Sequence, residues 1–181
     1  LFRSSATATT STTFQTGVAL PDGEYSFFVQ EQDGLGNWSV SSSVLLTIDA
    51  TGPPAPAVSG ISPVSTPNPT WTWIKGDPVD GVGIFRYKFN DPSFISGSIS
   101  TEALSFTTSI PLIDGDYTLY VQEQDDLGNW SASGSVLVTV DLTPPLPPSV
   151  SVISPTSNPF PEFTWIFQGG RSEEHTSELQ S

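Results

Sequence analysis

The sequence contains no cysteine and no methionine, and its 181 residues include only one histidine and five basic residues. Without cysteine, the chain has neither a disulfide framework nor a thiolate nucleophile. It carries 19 acidic residues and a formal net charge of −14, so it is expected to repel nucleic-acid phosphates and anionic membrane surfaces. No apolar run approaches the length of a membrane span. We therefore expect neither nucleic-acid binding nor membrane insertion in this window.

The last eleven residues, RSEEHTSELQS at 171–181, resemble nothing before them. A common short-read sequencing adapter encodes this peptide, so we interpret it as translated adapter; the alternative is a genuine disordered tail. Excluding it removes His175 and leaves 4 basic and 16 acidic residues, a net charge of 4 − 16 = −12. Ser-His-Asp and Cys-His catalytic groups and the usual zinc sites are then impossible.

One segment of the sequence occurs twice, 92 residues apart. Residues 22–49 read DGEYSFFVQEQDGLGNWSVSSSVLLTID and residues 114–141 read DGDYTLYVQEQDDLGNWSASGSVLVTVD, with 19 of 28 positions identical. A fixed period predicts tandem domains. The predicted units are the C-terminal part of a first repeat at 1–50, a complete repeat at 51–142 and the N-terminal start of a third at 143–170. Short proline-rich linkers join them, and the chain is interpreted as a window of a longer array.

The complete repeat consists of short alternating runs that are typical of strands. PTWTWI places Trp71 and Trp73 on one face, and the same alternation continues in FRYKF, YTLYV and SVLVTV. Gly, Pro, Asn and Asp separate these runs, and no stretch shows a helical apolar period. A unit of this size, near 100 residues, predicts an all-β sandwich.

The motifs of this unit resemble those of a known family. LIDGDY at 112–117 resembles the tyrosine corner before strand F of fibronectin type III and immunoglobulin-like domains, and PTWTW resembles their strand B. The doubled segment followed by TPP resembles tandem immunoglobulin-like repeats of large bacterial surface and secreted proteins. This resemblance implies tandem immunoglobulin-like (fibronectin type III-like) β-sandwich repeats of about 92 residues, which form an extracellular rod or stalk, often in adhesins.

The doubled segment is rich in carboxylates. By strand alternation, Glu123 and Asp125 continue the core face of strand F, which is costly unless they lie at the rim or have a partner. They could be imagined as a glycosidase pair. However, their counterparts Glu31 and Asp33 recur in the neighbouring unit, and catalytic pairs are not normally reiterated along a rod. We therefore predict that this chain is not an enzyme.

Acidic side chains are also expected to converge where the incoming linker, the B–C loop and the F–G loop meet. The set comprises Asp49, Asp77, Asp80, Glu123, Asp125 and Asp126. Calcium takes six to eight oxygen ligands, mostly carboxylates and carbonyls. The sequence is thus compatible with a calcium site at the repeat junction or, alternatively, with a merely solvated acidic end.

The residues that follow strand F predict a hairpin turn. Gly128 and Asn129 tolerate positive φ, so their expected role is conformational. The triplet that starts at Asn129 formally matches a glycosylation acceptor, which is a weak signal in such a turn. Trp130 is expected to cover the open end of its own core, the alternative being a ligand-stacking aromatic.

The leading functional hypothesis is a non-catalytic spacer in a bacterial surface protein. Its expected partners are the neighbouring repeats of the same chain and a surface glycan or protein, and the chain is expected to be a monomer. The alternative is a carbohydrate- or protein-binding accessory module of a secreted polysaccharide-degrading enzyme. Residues 90–105, the longest irregular stretch, are the best candidate surface for such binding.

Overall fold

A computed structural model of the chain describes residues 7–79 and 81–168. All regular elements in these two ranges are β-strands, as the alternating patterns predict. Within them, no helix has the length and apolar character needed to cross a membrane. The strands are β1 Gly23–Val29, β2 Ser42–Ile48, β3 Ala57–Gly60, β4 Thr70–Ile74, β5 Gly81–Phe89, β6 Ile99–Thr101, β7 Ser105–Thr107, β8 Gly115–Asp125, β9 Gly134–Val140, β10 Leu146–Val152 and β11 Phe163–Gln168.

The strands β3 to β9 form two antiparallel sheets. One sheet has the order β3-β4-β7 and the other has the order β6-β5-β8-β9. Strands β8 and β9 pair without a register shift from Gly115↔Val140 to Val121↔Gly134. Three strands against four, all antiparallel, give an immunoglobulin-like (fibronectin type III-like) β-sandwich, which confirms the predicted fold class.

The core lies between these two sheets and is mainly aromatic. Trp71 and Trp73 of β4 are buried together with Phe85 of β5, and their rings pack edge-on or stacked against further aromatic side chains. The sheet that contains β5 also contributes aliphatic side chains from β8 and β9: Leu119, Val121 and Val138. These are the residues that the two-residue period of the sequence placed on the inner faces.

The predicted tyrosine corner is present. The hydroxyl of Tyr117, at the start of β8, donates to the carbonyl oxygen of Ile113 at 3.0 Å. The sequence-equivalent Tyr25 donates to the carbonyl of Pro21 at 2.7 Å. Each bond ties the first residues of a strand to the loop before it, so the same corner occurs in both copies of the doubled segment.

The remaining strands form two separate two-stranded sheets, β1-β2 and β10-β11. They correspond to β8-β9 and β3-β4 shifted by 92 residues, because Val150 pairs with Trp165 as Val58 pairs with Trp73. Residues 90–105 are less irregular than the sequence suggested: they contain β6 and reach the first residue of β7. The sequence signal was weak there because a three-residue strand carries almost no periodicity.

Candidate functional site

The doubled acidic segment ends in a turn that Asp125 organises from within. Its Oδ1 atom accepts hydrogen bonds from the backbone N–H groups of Leu127 at 3.0 Å and Asn129 at 2.7 Å. Its Oδ2 atom accepts a bond at 2.8 Å from the side-chain amide of Asn129. Gly128 has the predicted positive φ of 93°. Asp125 is buried, as strand alternation indicated, and its burial is compensated by these bonds.

The electrostatics of this carboxyl follow from the same contacts. Burial acts to raise the pKa of Asp125, but the hydrogen bonds from Asn129 and Leu127 outweigh it and hold the pKa below its ordinary value. The equivalent turn of the first copy repeats the arrangement, because Asp33 accepts the same three bonds from Leu35 and Asn37. There too, the bonds from Asn37 lower the pKa of Asp33. The doubled carboxylate is thus a turn-forming residue in both copies.

Glu123 is the second buried carboxylate, and it connects the turn to the loop after β4. Its Oε2 atom accepts a hydrogen bond from the backbone N–H of Gly76 at 2.9 Å. Its Oε1 atom is buried and has no hydrogen-bond partner within the described part of the chain. The carboxyl lies against Gly81, where a Cβ would sit 2.1 Å from Oε1. Glycine at 81 therefore leaves the space that the glutamate occupies.

Two of the other predicted calcium ligands accept hydrogen bonds from nearby backbone N–H groups. Asp77 Oδ1 accepts from the N–H of Val79 at 2.7 Å, and Asp49 Oδ1 accepts from the N–H of Thr51 at 3.1 Å. Asp126 is exposed, and Asp80 lies outside the described residues. Within residues 7–79 and 81–168, no three acidic or histidine side chains are grouped so that they could hold a metal ion. The calcium site stays a prediction.

The linker at residues 49–56 packs tightly against the loop after β4 and the turn after β8. We call this contact region the junction; it comprises residues 49–56, 75–79 and 125–134. Three glycines show how close the backbones come. A Cβ on Gly52 would lie 2.4 Å from the carbonyl of Trp130, and Cβ atoms on Gly76 and Gly134 would each lie 1.9 Å from linker carbonyl oxygens. Only glycine fits at these positions.

Three hydrogen bonds hold the first residues of the linker, 49–51. From the sandwich of β3 to β9, the side-chain amide of Asn129 donates to the carbonyl oxygen of Asp49 at 3.2 Å. From the segment before the linker, Asp22 Oδ1 accepts from the N–H of Ala50 at 2.8 Å, and Asp22 Oδ2 accepts from the hydroxyl of Thr51. The bonds from Thr51 and Ala50 lower the pKa of Asp22. The linker is thereby bonded to the units on both sides of it.

The sequence reasoning missed this aspartate clamp. It recurs at the next linker, where Asp114 accepts from the N–H of Leu142 at 2.7 Å and from the hydroxyl of Thr143. The bonds from Thr143 and Leu142 likewise lower the pKa of Asp114. A signal existed: both copies carry an Asp-Gly before strand F and an Asp-x-Thr after strand G.

Asn129 and Trp130 differ from their predicted roles. Asn129 stabilises the turn through the hydrogen bonds of its side-chain amide rather than through a positive φ. Trp130 does not cover the core; its ring lies 4.3 Å from the guanidinium of Arg86, which also lies over Phe94 at 5.0 Å. Arg86 projects from the outer face of β5 and donates to Gln122 Oε1 at 2.7 Å. A cation over an aromatic face is stabilising. The alternation of residues along a single strand could not predict this contact between Arg86 and Trp130.

No protein-family model matches the sequence, and no curated protein matches it. The solved structures that are similar to the chain include the following three. Domains d3–d4 of the rat CD45 extracellular region share 9% identity over 76% of this chain and 75% of that chain, with a TM-score of 0.42. The PKD domain of an M14-like peptidase from a Thermoplasmatales archaeon shares 21% identity over 51% and 98%, with a TM-score of 0.33. The fibronectin type-III domain of human fibronectin type III domain containing protein 3 shares 21% over 54% and 95%, with a TM-score of 0.35. The immunoglobulin-like fold itself follows from the strand order and register of β3 to β9.

Proposed function

We propose that the chain is a non-catalytic spacer segment of a bacterial extracellular protein, of the adhesin type, built from tandem repeats of 92 residues. The junction carries this proposal. The side-chain amide of Asn129 donates to the carbonyl oxygen of Asp49, and the carboxylate of Asp22 accepts from the hydroxyl of Thr51. A linker whose first residues are bonded to the segment before it and to the sandwich after it restrains the rotation of one against the other. Stiff units that contact only their neighbours make a rod, and a rod holds a binding head away from a surface.

The recurrence of the junction chemistry supports a spacer over a single specialised domain. The aspartate clamp and the aspartate-organised turn each occur twice, with the same donors and acceptors. Recurrence of structural contacts is expected along an array, since every unit must be joined to the next. The partners expected in this role are the neighbouring repeats, and the expected location is the cell surface or the extracellular medium.

The stiffness of the junction can be measured directly because the chain has no cysteine. Spin labels are attached to Ser26→Cys in β1 and Ser135→Cys in β9. Double electron–electron resonance then measures the distance between the two labels across the linker. We expect one narrow distance distribution, which broadens when Asn129→Ala removes the hold on Asp49. The matched control is Asn37→Ala, which removes the equivalent amide from the first turn without touching this linker. If the distance distribution is equally broad with and without the Asn129 amide, the proposal of a stiff rod is refuted.

A further inference from the structure

The two linkers of the chain are bonded in the same way to the segment before them. Asp22 accepts hydrogen bonds from residues 50 and 51 of the first linker, and Asp114 accepts the same two bonds from residues 142 and 143 of the second. The linker sequences differ, since ATGPPAP at 50–56 corresponds to LTPPLPP at 142–148. A difference between the two joints therefore has to come from how each linker meets the unit that follows it.

The first linker meets the following unit through three close backbone approaches, at Gly52, Gly76 and Gly134. A Cβ at any of these positions would lie 2.4 Å or less from a backbone atom of the linker or of the turn after β8. A backbone atom cannot rotate away as the end of a side chain can, so glycine is what allows this approach. We call these three contacts the glycine seat.

The glycine seat is not repeated at the 92-residue offset. The equivalent of position 52 is Pro144, that of position 76 is Gln168 and that of position 134 is Ser42. Each of these residues carries a Cβ. The close approach seen at 49–56 is therefore excluded at every equivalent position that the chain contains.

The turn against which Gly52 packs has the same backbone bonding in both copies of the doubled segment. The N–H of Ser131 donates to the carbonyl oxygen of Glu123 at 2.9 Å, and the N–H of Ser39 donates to that of Glu31 at 2.9 Å. Since the turn is constant, the residue that the linker brings to it decides whether the linker can pack there.

The second linker takes a different course at the position where the two can be compared directly. The carbonyl oxygen of Pro54 lies 1.9 Å from where a Cβ of Gly76 would be, and β3 begins only at Ala57. The equivalent residues Leu146 and Gln168 are instead partners in the ladder of β10 and β11. Strand partners leave room for both side chains. The second linker thus enters its strand early and does not cross over the loop after β11 as the first crosses over the loop after β4.

We propose that the two linkers form unlike joints: a fixed joint at 49–56, held by the glycine seat, and a pivoting joint at 142–148, which Asp114 holds only on the side of the preceding unit. This inference rests on the proposed spacer function and refines it, because an array with unlike joints is an articulated rod. The four prolines of the second linker fix φ and keep it extended. The pivot therefore changes the direction of the next unit more than its distance, so the rod can reorient a binding head without shortening.

The residues of the second linker can be transferred to the first to test this. The variants Gly52→Pro and Gly76→Gln place the residues of positions 144 and 168 in the glycine seat. With the labels at Ser26→Cys and Ser135→Cys, double electron–electron resonance should show that the narrow distance peak of the parent chain is lost in both variants. The control is Ala50→Leu, which also imports a residue of the second linker, but at an exposed position. Its peak should stay narrow.

Proline at position 52 leaves the aspartate clamp intact, because Asp114 makes the same bonds directly before Pro144. Gly52 also lies outside the strands, so Gly52→Pro decides the test if Gly76→Gln fails to fold. Fluorescence of the core tryptophans shows whether each variant has kept its sandwich.

The outcomes separate this inference from the spacer function. If the parent chain and the folded glycine variants give the same narrow peak, the residues of the second linker fit the glycine seat, and the unlike joints are refuted while the rod stands. If the parent chain already gives a broad distribution, the rod itself is refuted, and the unlike joints with it.

Discussion

The tyrosine corner allows a single hydroxyl to be removed without disturbing anything around it. Tyr117 donates to the Ile113 carbonyl at 3.0 Å, and its ring stacks on Phe89 with centroids 5.6 Å apart and planes 11° from parallel. The variant Tyr117→Phe retains the ring, its rotamer and this stacking. Only the hydrogen bond that closes the loop before β8 is lost.

The expected cost is the net free energy of one hydrogen bond. Such a bond contributes about 1 kcal/mol to stability, because unfolding exchanges it for bonds to water. The carbonyl of Ile113 is at an exposed loop and can be rehydrated, so no further penalty for an unpaired buried group applies. For a domain of 60–100 residues, about 1 kcal/mol corresponds to a decrease in melting temperature of about 4–8 °C.

Equilibrium unfolding in denaturant, followed by tryptophan fluorescence, measures this difference, because Trp71 and Trp73 lie in the core. The control is Tyr120→Phe, whose hydroxyl makes no hydrogen bond with the part of the chain that the structure describes. We expect a lower midpoint for Tyr117→Phe and an unchanged one for Tyr120→Phe. Identical midpoints for Tyr117→Phe and the parent chain would refute the corner as a stabilising contact.

Three other predictions concern the junction. Gly76→Ala should destabilise the chain by about 1–3 kcal/mol, because its Cβ would meet a linker carbonyl that cannot retract; Gly17→Ala, in open space, should be neutral in the same thermal melts. Stability should also fall in acid: the lowered pKa of Asp125 means that its contribution is complete above about pH 4 and is lost as the pH falls through the lowered value. Melting temperatures measured against pH should show this loss, and Asp125→Asn should make it smaller without abolishing it, because the pKa values of Asp22, Asp33 and Asp114 are lowered too. Finally, if the junction binds calcium, millimolar calcium should raise the melting temperature of residues 1–142 relative to chelator but have little effect on 51–142. The double variant of Asp125 and Asp126 to Asn should abolish that shift, and equal melting temperatures with calcium and chelator would count against the site.

Much of the fold could be predicted from local patterns in the sequence. Alternation along PTWTW and YTLYV decided which side chains are buried, because a strand presents successive residues to opposite faces whatever its partner is. The same counting placed Glu123 and Asp125 on the buried side, where the structure has them. The 92-residue offset likewise predicted that the corner and the turn would occur twice.

What the tertiary structure alone decided is which loops meet. The bond from Asn129 to Asp49 joins residues 80 positions apart, and Glu123 finds its donor 47 positions away at Gly76. Trp130 stacks on Arg86 across two strands, although its sequence neighbours suggested a core position. No local period encodes such contacts, since they depend on the order of strands in the sheets and on how closely the linker backbone approaches. The sequence determined which residues turn inward, and the packing of the two sheets determined what each buried or loop residue bonds to.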